Sequence, residues 1–261
     1  MSTTLDQKKN RLFFTLSGIF ITNALVAEMI GVKIFSGEQT LGLQPAHLHV
    51  LGFVMDFNLT AGAVIWPVVF ITTDLINEYF GQPGVRRISF LTVGLIAYAF
   101  VVTFCAMQLP PAGWWLEANS TDPAGNIFNI DFAFTKIFGQ SNRIIIGSLA
   151  AFLVSQLVDV FMFQRVRKIT GAKMLWLRAT GSTLVSQLVD SFVVLYIAFM
   201  GTFSHSQIIA IGLTNYLYKF SVALLLTPVI YLGHYLIDRY LGKKNSDQLA
   251  AAAANDSQSI L

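Results

Sequence analysis

Six apolar runs of about 20 residues divide this chain, at 12–31, 61–80, 88–109, 144–163, 174–201 and 207–236, each long enough to cross a hydrocarbon core about 30 Å thick. That feature excludes nearly every soluble architecture. Backbone polar groups find no water in lipid, so spanning segments of this length must satisfy themselves as helices. Only 12% of the residues are charged, against about 25% in an ordinary soluble domain. The expected fold is an all-α integral membrane protein with six transmembrane helices. Lys8, Lys9 and Arg11 precede the first run, but no small-residue cleavage site follows a short apolar core, so this run reads as a retained helix rather than a signal peptide.

Basic residues alternate in density between the runs. Lys8, Lys9 and Arg11 come before the first, Arg86 and Arg87 follow the second, Arg165, Arg167, Lys168 and Lys173 follow the fourth, and Arg239, Lys243 and Lys244 follow the sixth. The other connections offer only Lys33, Lys136 and Arg143. By the positive-inside rule both termini are expected in the cytoplasm, a parity that six spans also require. The net charge of +3 is therefore a topology signal and no sign of nucleic-acid binding. A single cysteine, Cys105, excludes an internal disulfide.

The expected organisation is a cytoplasmic segment 1–11, a six-helix domain 12–242 and a disordered cytoplasmic tail 243–261 rich in Ala, Asn, Ser and Gln. Within 37–60 the stretch HVLGFVMDFNL alternates loosely after Gly42 and Pro45, which predicts a short external hairpin or re-entrant element before the second helix. In the long connection 110–143, residues 128–138 read as an amphipathic helix at the outer surface, with Trp114 and Trp115 as interface anchors.

Against this apolar background the heptapeptide LVSQLVD occurs twice, at 153–159 and 184–190. An Asp at the bilayer centre costs about 2.5–3.5 kcal/mol on insertion scales, so such groups face a bundle interior or a wet cavity. Ser155, Gln156 and Asp159 fall on one helical face, as do Ser186, Gln187 and Asp190. The fourth and fifth helices are consecutive and antiparallel, so the two stripes can meet near mid-membrane as similar half-sites, a partial analogue of the inverted elements around transporter sites. The competing reading is that Ser and Gln simply join helices, at about 0.6 kcal/mol per bond.

Further polar groups lie elsewhere in the runs. Asp74 and Glu78 share a face of the second helix, as a pocket wall or as interface residues. Pro67 removes a backbone donor, as happens where a chain lines a cavity, and Trp66 beside it suits either stacking on a flat ligand or anchoring at the interface. Asn23 lies inside the first helix, with Glu28 near enough to its outer end to be solvated. Lys219 falls mid-way along the sixth helix and calls for a carboxylate, Asp74, Asp159 or Asp190, with Asn215 one turn away. The candidate substrate-binding set is thus Asn23, Trp66, Asp74, Gln156, Asp159, Gln187, Asp190, Asn215 and Lys219.

The segments GAVIWPVVFITTDLINEYFG, RIIIGSLAAFLVSQLVDVFMFQRVRK, GSTLVSQLVDSFVVLYIAF and NYLYKF together resemble, in order and over nearly the whole membrane domain, the vitamin-uptake-type queuosine precursor transporters. The resemblance implies a bacterial inner-membrane importer of 7-deazaguanines (7-cyano-7-deazaguanine, its aminomethyl relative, or queuine) for tRNA modification, working without a dedicated ATPase. It carries over most directly to Asp74, Asp159, Asp190 and Lys219. A deazaguanine offers two adjacent donors that one carboxylate accepts as a fork and an acceptor suited to a Gln amide. On that basis Gln156 and Gln187 would read the base edge, one of Asp159 and Asp190 would grip the donors, and Lys219 would hold the other.

Two rival classes remain at this stage. A substrate-binding subunit of an energy-coupling-factor vitamin importer also has about six helices, but the first run shows no Ala-x-x-x-Ala stripe for docking to an ATPase module. An intramembrane enzyme would need a reactive constellation. The chain has no H-E-x-x-H motif and no Walker loop, and its four His, at 47, 49, 205 and 234, are scattered. No cofactor or metal is implied. The expected partners are a small-molecule substrate and the bilayer, with a homodimer allowed and no nucleic acid.

Overall fold

The first helix, α1 (Ser2–Ile30), leads into strands β1 (Ile34–Ser36), β2 (Leu48–Val50), β3 (Phe53–Met55) and β4 (Asn58–Thr60), with the short helix α2 (Gly37–Thr40) after β1. The protein is described here by a computed structural model, which covers residues 2–140, 142–170 and 174–258; Lys173 lies outside them. A 3-10 turn (Ala61–Val64) enters α3 (Trp66–Met107), followed by α4 (Gly113–Ala118), α5 (Ile130–Phe138), α6 (Asn142–Thr170), α7 (Leu175–Phe199), α8 (His205–Leu241) and α9 (Lys243–Gln258). Five helical stretches among the described residues are long and apolar enough to cross a membrane. Side chains such as Leu225, 77% exposed, and Val101, 61% exposed, give the bundle the apolar exterior that lipid requires.

Two of the expected spans, 61–80 and 88–109, share α3, and what separates them is Gly81 at φ 66°, ψ −172°. A β-carbon placed on Gly84 would lie 3.5 Å from Cγ2 of Ile76, although eight residues along a straight helix rise about 12 Å. The chain therefore bends sharply back on itself at Gly81, giving two arms, 66–80 and 82–107. Val69, Ile76 and Tyr79 from the first arm and Val85, Ile88 and Ile96 from the second pack into one core with Leu16, Phe20 and Ala24 of α1, Phe152 and Val160 of α6, and Ile237 and Leu241 of α8.

That bend yields a direct test. Backbone with φ near +66° and ψ near 180° is essentially restricted to glycine, and other residues are strained there by about 1–3 kcal/mol. Gly81→Ala is expected to lower the thermal midpoint of the purified protein by about 2–4 °C per kcal/mol. Gly94→Ala, whose new methyl would meet nothing within 4 Å, serves as the helical control and should leave the midpoint level or raised.

The expected hairpin forms. β2 pairs antiparallel with β3 across Leu51 and Gly52, both at positive φ (51° and 87°), as a two-residue turn between twisted strands demands. β1 pairs with β4, and Glu38 ties the segment together by accepting from the amides of Phe57 at 2.7 Å and Ala46 at 3.4 Å and from the Ser36 hydroxyl at 3.0 Å. Those bonds, the Phe57 amide first, hold its carboxyl below the ordinary value of 4.5. The amphipathic helix expected in 128–138 is α5, capped by Asn129, whose side chain accepts from the Phe132 amide.

Two expectations are revised. Pro67 occupies the first turn of α3 and breaks nothing, because its missing N–H is one that a helix start leaves unpaired in any case. The tail read as disordered is helical over Lys243–Gln258. Its Ala run has high helix propensity, and tertiary contacts secure it: Ser246 donates to Asp238, Arg167 donates to the Ala250 carbonyl at 2.7 Å, and Leu249 and Ala250 pack on the main core.

Candidate functional site

A cavity of about 460 Å³ opens between α1, α3, α6, α7 and α8 at the end of the bundle that carries the strands. Its lining extends from Gly31, Ile34, Asn58 and Gln140 to Asp74, Thr180 and Ile230. One wall is aromatic. Trp66 stacks on Phe70 with ring centres 6.0 Å apart and planes 15° from parallel, and lies 5.6 Å from Phe152 at 40°. The spacing of Trp66 and Phe70 at i, i+4 on α3 puts both rings on one face, while Phe152 comes from α6.

The same cavity holds an ion pair. Lys219 Nζ of α8 lies 2.6 Å from Asp190 Oδ2 of α7, each side chain 23% exposed, and Asn215 adds an amide one turn away on α8. Glu28 also lines the cavity and accepts from the Ser148 hydroxyl at 2.6 Å. It is half-buried there and tied to α6 by that bond, rather than freely solvated at a helix end as its sequence position suggests. Asp74, only 3% exposed, lines the cavity too, and its Oδ1 has no hydrogen-bond partner among the described residues.

Five of the nine sequence candidates, Trp66, Asp74, Asp190, Asn215 and Lys219, thus meet at one cavity. Four do not line it. Asn23 donates back to the Ile19 carbonyl of its own helix at 2.8 Å. Gln156, Asp159 and Gln187, all 5% exposed or less, are packed behind the wall. The Thr73 hydroxyl contacts Gln156 Oε1 at 3.4 Å, the Ser186 hydroxyl donates to Asp159 Oδ1 at 3.1 Å, and Gln187 Oε1 has no partner. The two heptapeptides do face each other across α6 and α7, but the exchange is one-sided: Ser186 reaches Asp159, whereas Ser155 donates to the Phe152 carbonyl of its own helix at 3.0 Å. The antiparallel offset explains the asymmetry, since it leaves Asp159 between helices and brings Asp190 to the cavity.

At the opposite end the bundle is sealed by polar pairs that span helices. Glu78 receives Arg178 in a fork, at 2.8 and 3.1 Å, and Arg167 at 3.4 Å. On either side of it in sequence, Asn77 accepts from Gln164 at 2.8 Å and Tyr79 bonds His234 at 2.7 Å. Beyond this layer a second cavity of about 890 Å³ lies against α9. Glu78 is thus a buried ion-pair centre, 5% exposed, and its partner Arg178 went unremarked in the sequence although a charge within an apolar run is a signal. Phe70, Phe152 and Ser148 were also missed, and nothing local distinguishes them from the many apolar or small residues around them. Among the described residues no three His, Cys, Asp or Glu side chains gather as a metal site.

Comparison with known proteins places this geometry in context. The family model described as "Putative vitamin uptake transporter" matches residues 60–233, which hold α3 through most of α8. A "probable queuosine precursor transporter" of Bacillus subtilis is 33% identical over 74% of this chain and 80% of its own length. The "queuosine precursor transporter" of Escherichia coli is 27% identical over 76% and 84% respectively. A "probable queuosine precursor transporter" of Haemophilus influenzae is 29% identical over 85% of each chain. No solved structure matches the chain significantly.

Proposed function

The chain belongs to the queuosine precursor transporter family, of the vitamin-uptake type, and from that premise we propose that it imports 7-deazaguanine precursors of queuosine. It is a multi-pass transporter of the bacterial inner membrane and no enzyme. The observation that carries the substrate reading is the Asp190–Lys219 pair in the same cavity as the aromatic residues Trp66, Phe70 and Phe152. A 7-deazaguanine presents an acceptor, O6, beside two donors, N1–H and the 2-amino group. Lys219 beside Asp190 offers the complementary order, a donor next to a two-oxygen acceptor. Trp66, Phe70 and Phe152 cover the flat ring, in keeping with small-molecule sites that are mostly apolar with a few placed polar groups. On this reading Gln156, Asp159 and Gln187 position α6 and α7, and the base edge is read by Asp190 and Lys219.

Six crossings with both termini in the cytoplasm follow if each arm of α3 spans once. The first arm rises only about 22 Å, so the strand segment before it would complete the outer leaflet. Arg86 and Arg87 beside the bend, Arg165 and Lys168 on α6, and Arg239 on α8 support placing the sealed end in the cytoplasm. The cavity then faces outward.

Uptake of radiolabelled 7-cyano-7-deazaguanine into proteoliposomes holding this chain alone tests the reading. Saturable uptake is expected, with 7-aminomethyl-7-deazaguanine or queuine competing. A 7-deazahypoxanthine, lacking the 2-amino donor, should compete about 10- to 100-fold less well, since a hydrogen bond to a charged group contributes about 1.5–3 kcal/mol. Uptake no faster than in protein-free liposomes would reject the assignment. Success without added ATPase chains would also set aside the energy-coupling-factor subunit.

A further inference from the structure

We propose that import is driven by protons and that Asp74 is the proton-carrying site; this rests on the importer reading above. The charge inventory inside the bundle leads there. Each cation that faces the region is already taken by another carboxylate. Arg178 of α7 and Arg167 of α6 both serve Glu78, one turn along α3, and Lys219 of α8 serves Asp190 of α7. Glu28 of α1 has the Ser148 hydroxyl.

Asp74 is left without such a partner. It is 3% exposed, lines the cavity, and its Oδ1 has no hydrogen-bond partner among the described residues. Of the charged groups on the helices around it, Glu78 lies one turn along α3, Arg178 of α7 is committed to Glu78 at 2.8 Å, and Asp159 of α6, 5% exposed, accepts from the Ser186 hydroxyl. Neighbouring threonines do not help, because Thr72 and Thr73 turn their hydroxyls to the Val68 and Val69 carbonyls.

A carboxylate this far buried, with no cation of its own among the described residues, loses hydration that its neighbours do not replace. A proton on Asp74 removes that charge. Because Asp74 lines the open cavity, that proton arrives by the route the substrate takes. The Glu78 layer closes the far side, so release requires the conformational change that opens it. Loading a proton and the substrate in one outward-facing state and releasing both in the other is symport.

Proteoliposomes with an acidic exterior supply the test. The wild type should concentrate labelled 7-cyano-7-deazaguanine above equilibrium, up to about tenfold for one pH unit at one proton per substrate, and a protonophore should abolish the excess. Asp74→Asn should show no response to the gradient, whatever exchange it retains, whereas Asp74→Glu, which keeps a titratable group, should still respond. Wild-type counterflow without a gradient separates the two readings. Counterflow with no effect of the gradient overturns proton coupling alone, and a sodium gradient driving uptake instead does the same. Absence of counterflow overturns the substrate assignment and this inference together. Accumulation by Asp74→Asn, or exchange without a gradient response in Asp74→Glu, removes Asp74 as the carrier.

Discussion

Glu78→Gln is expected to destabilise the protein more than any other single change considered, by about 3–5 kcal/mol. Arg178 and Arg167 converge on Glu78, with side chains 3% and 9% exposed against 6% for the Glu. Neutralising the acid removes the carboxylate on which both guanidinium groups converge, in a layer where these side chains are largely withdrawn from solvent. Part of Arg167 keeps a partner in the Ala250 carbonyl at 2.7 Å, so α9 should loosen along with the layer rather than detach first. A fall in the thermal midpoint of the detergent-purified protein measures the effect, and faster proteolysis within 243–258 locates it. Replacing the whole cluster by Leu at 78 and Met at 167 and 178 should recover much of the loss, because apolar groups of similar volume often match or exceed a buried ion pair in stability. If Glu78→Gln melts like the wild type, the cluster does not hold this end together.

What the sequence made legible divides along a physical line. Membrane residence, the hairpin and the residues around Asp190 were readable, because apolar run length, alternation and misplaced charge are local signals. The fates of the two LVSQLVD copies were not. Identical heptapeptides place their Asp alike on each helix, yet Asp159 is buried between α6 and α7 while Asp190 meets Lys219. The difference lies in which way each helix runs and in what α8 brings to it. Glu28 was misplaced for a similar reason: its depth was judged from its own helix, whereas its bonding partner, Ser148, comes from α6. The tail reads as disordered by composition and becomes helical against a surface that composition does not contain. Gly81 shows the same limit, since one glycine among nineteen becomes a hinge only when the packing of both arms on α1 selects its positive φ.

The Asp190–Lys219 pair should respond in the opposite sense to the Glu78 cluster, losing transport while keeping the fold. Its side chains are each 23% exposed on an open cavity, so water can replace a deleted partner, and the stability cost should stay near the 1 kcal/mol or less of a solvated ion pair. Transport is a different matter. If Lys219 donates to O6 and Asp190 accepts the two N–H groups, Lys219→Met removes one charge-assisted bond and Asp190→Asn weakens two, at about 1.5–3 kcal/mol each. Uptake efficiency should therefore fall about 10- to 100-fold for Lys219→Met and by 100-fold or more for Asp190→Asn. Lys219→Arg should not restore it, because a planar guanidinium fork cannot reproduce a compact ammonium beside Asp190. Wild-type uptake in Asp190→Asn, or a collapse of its thermal midpoint matching that of Glu78→Gln, would make the pair a structural tie and move substrate recognition elsewhere in the cavity.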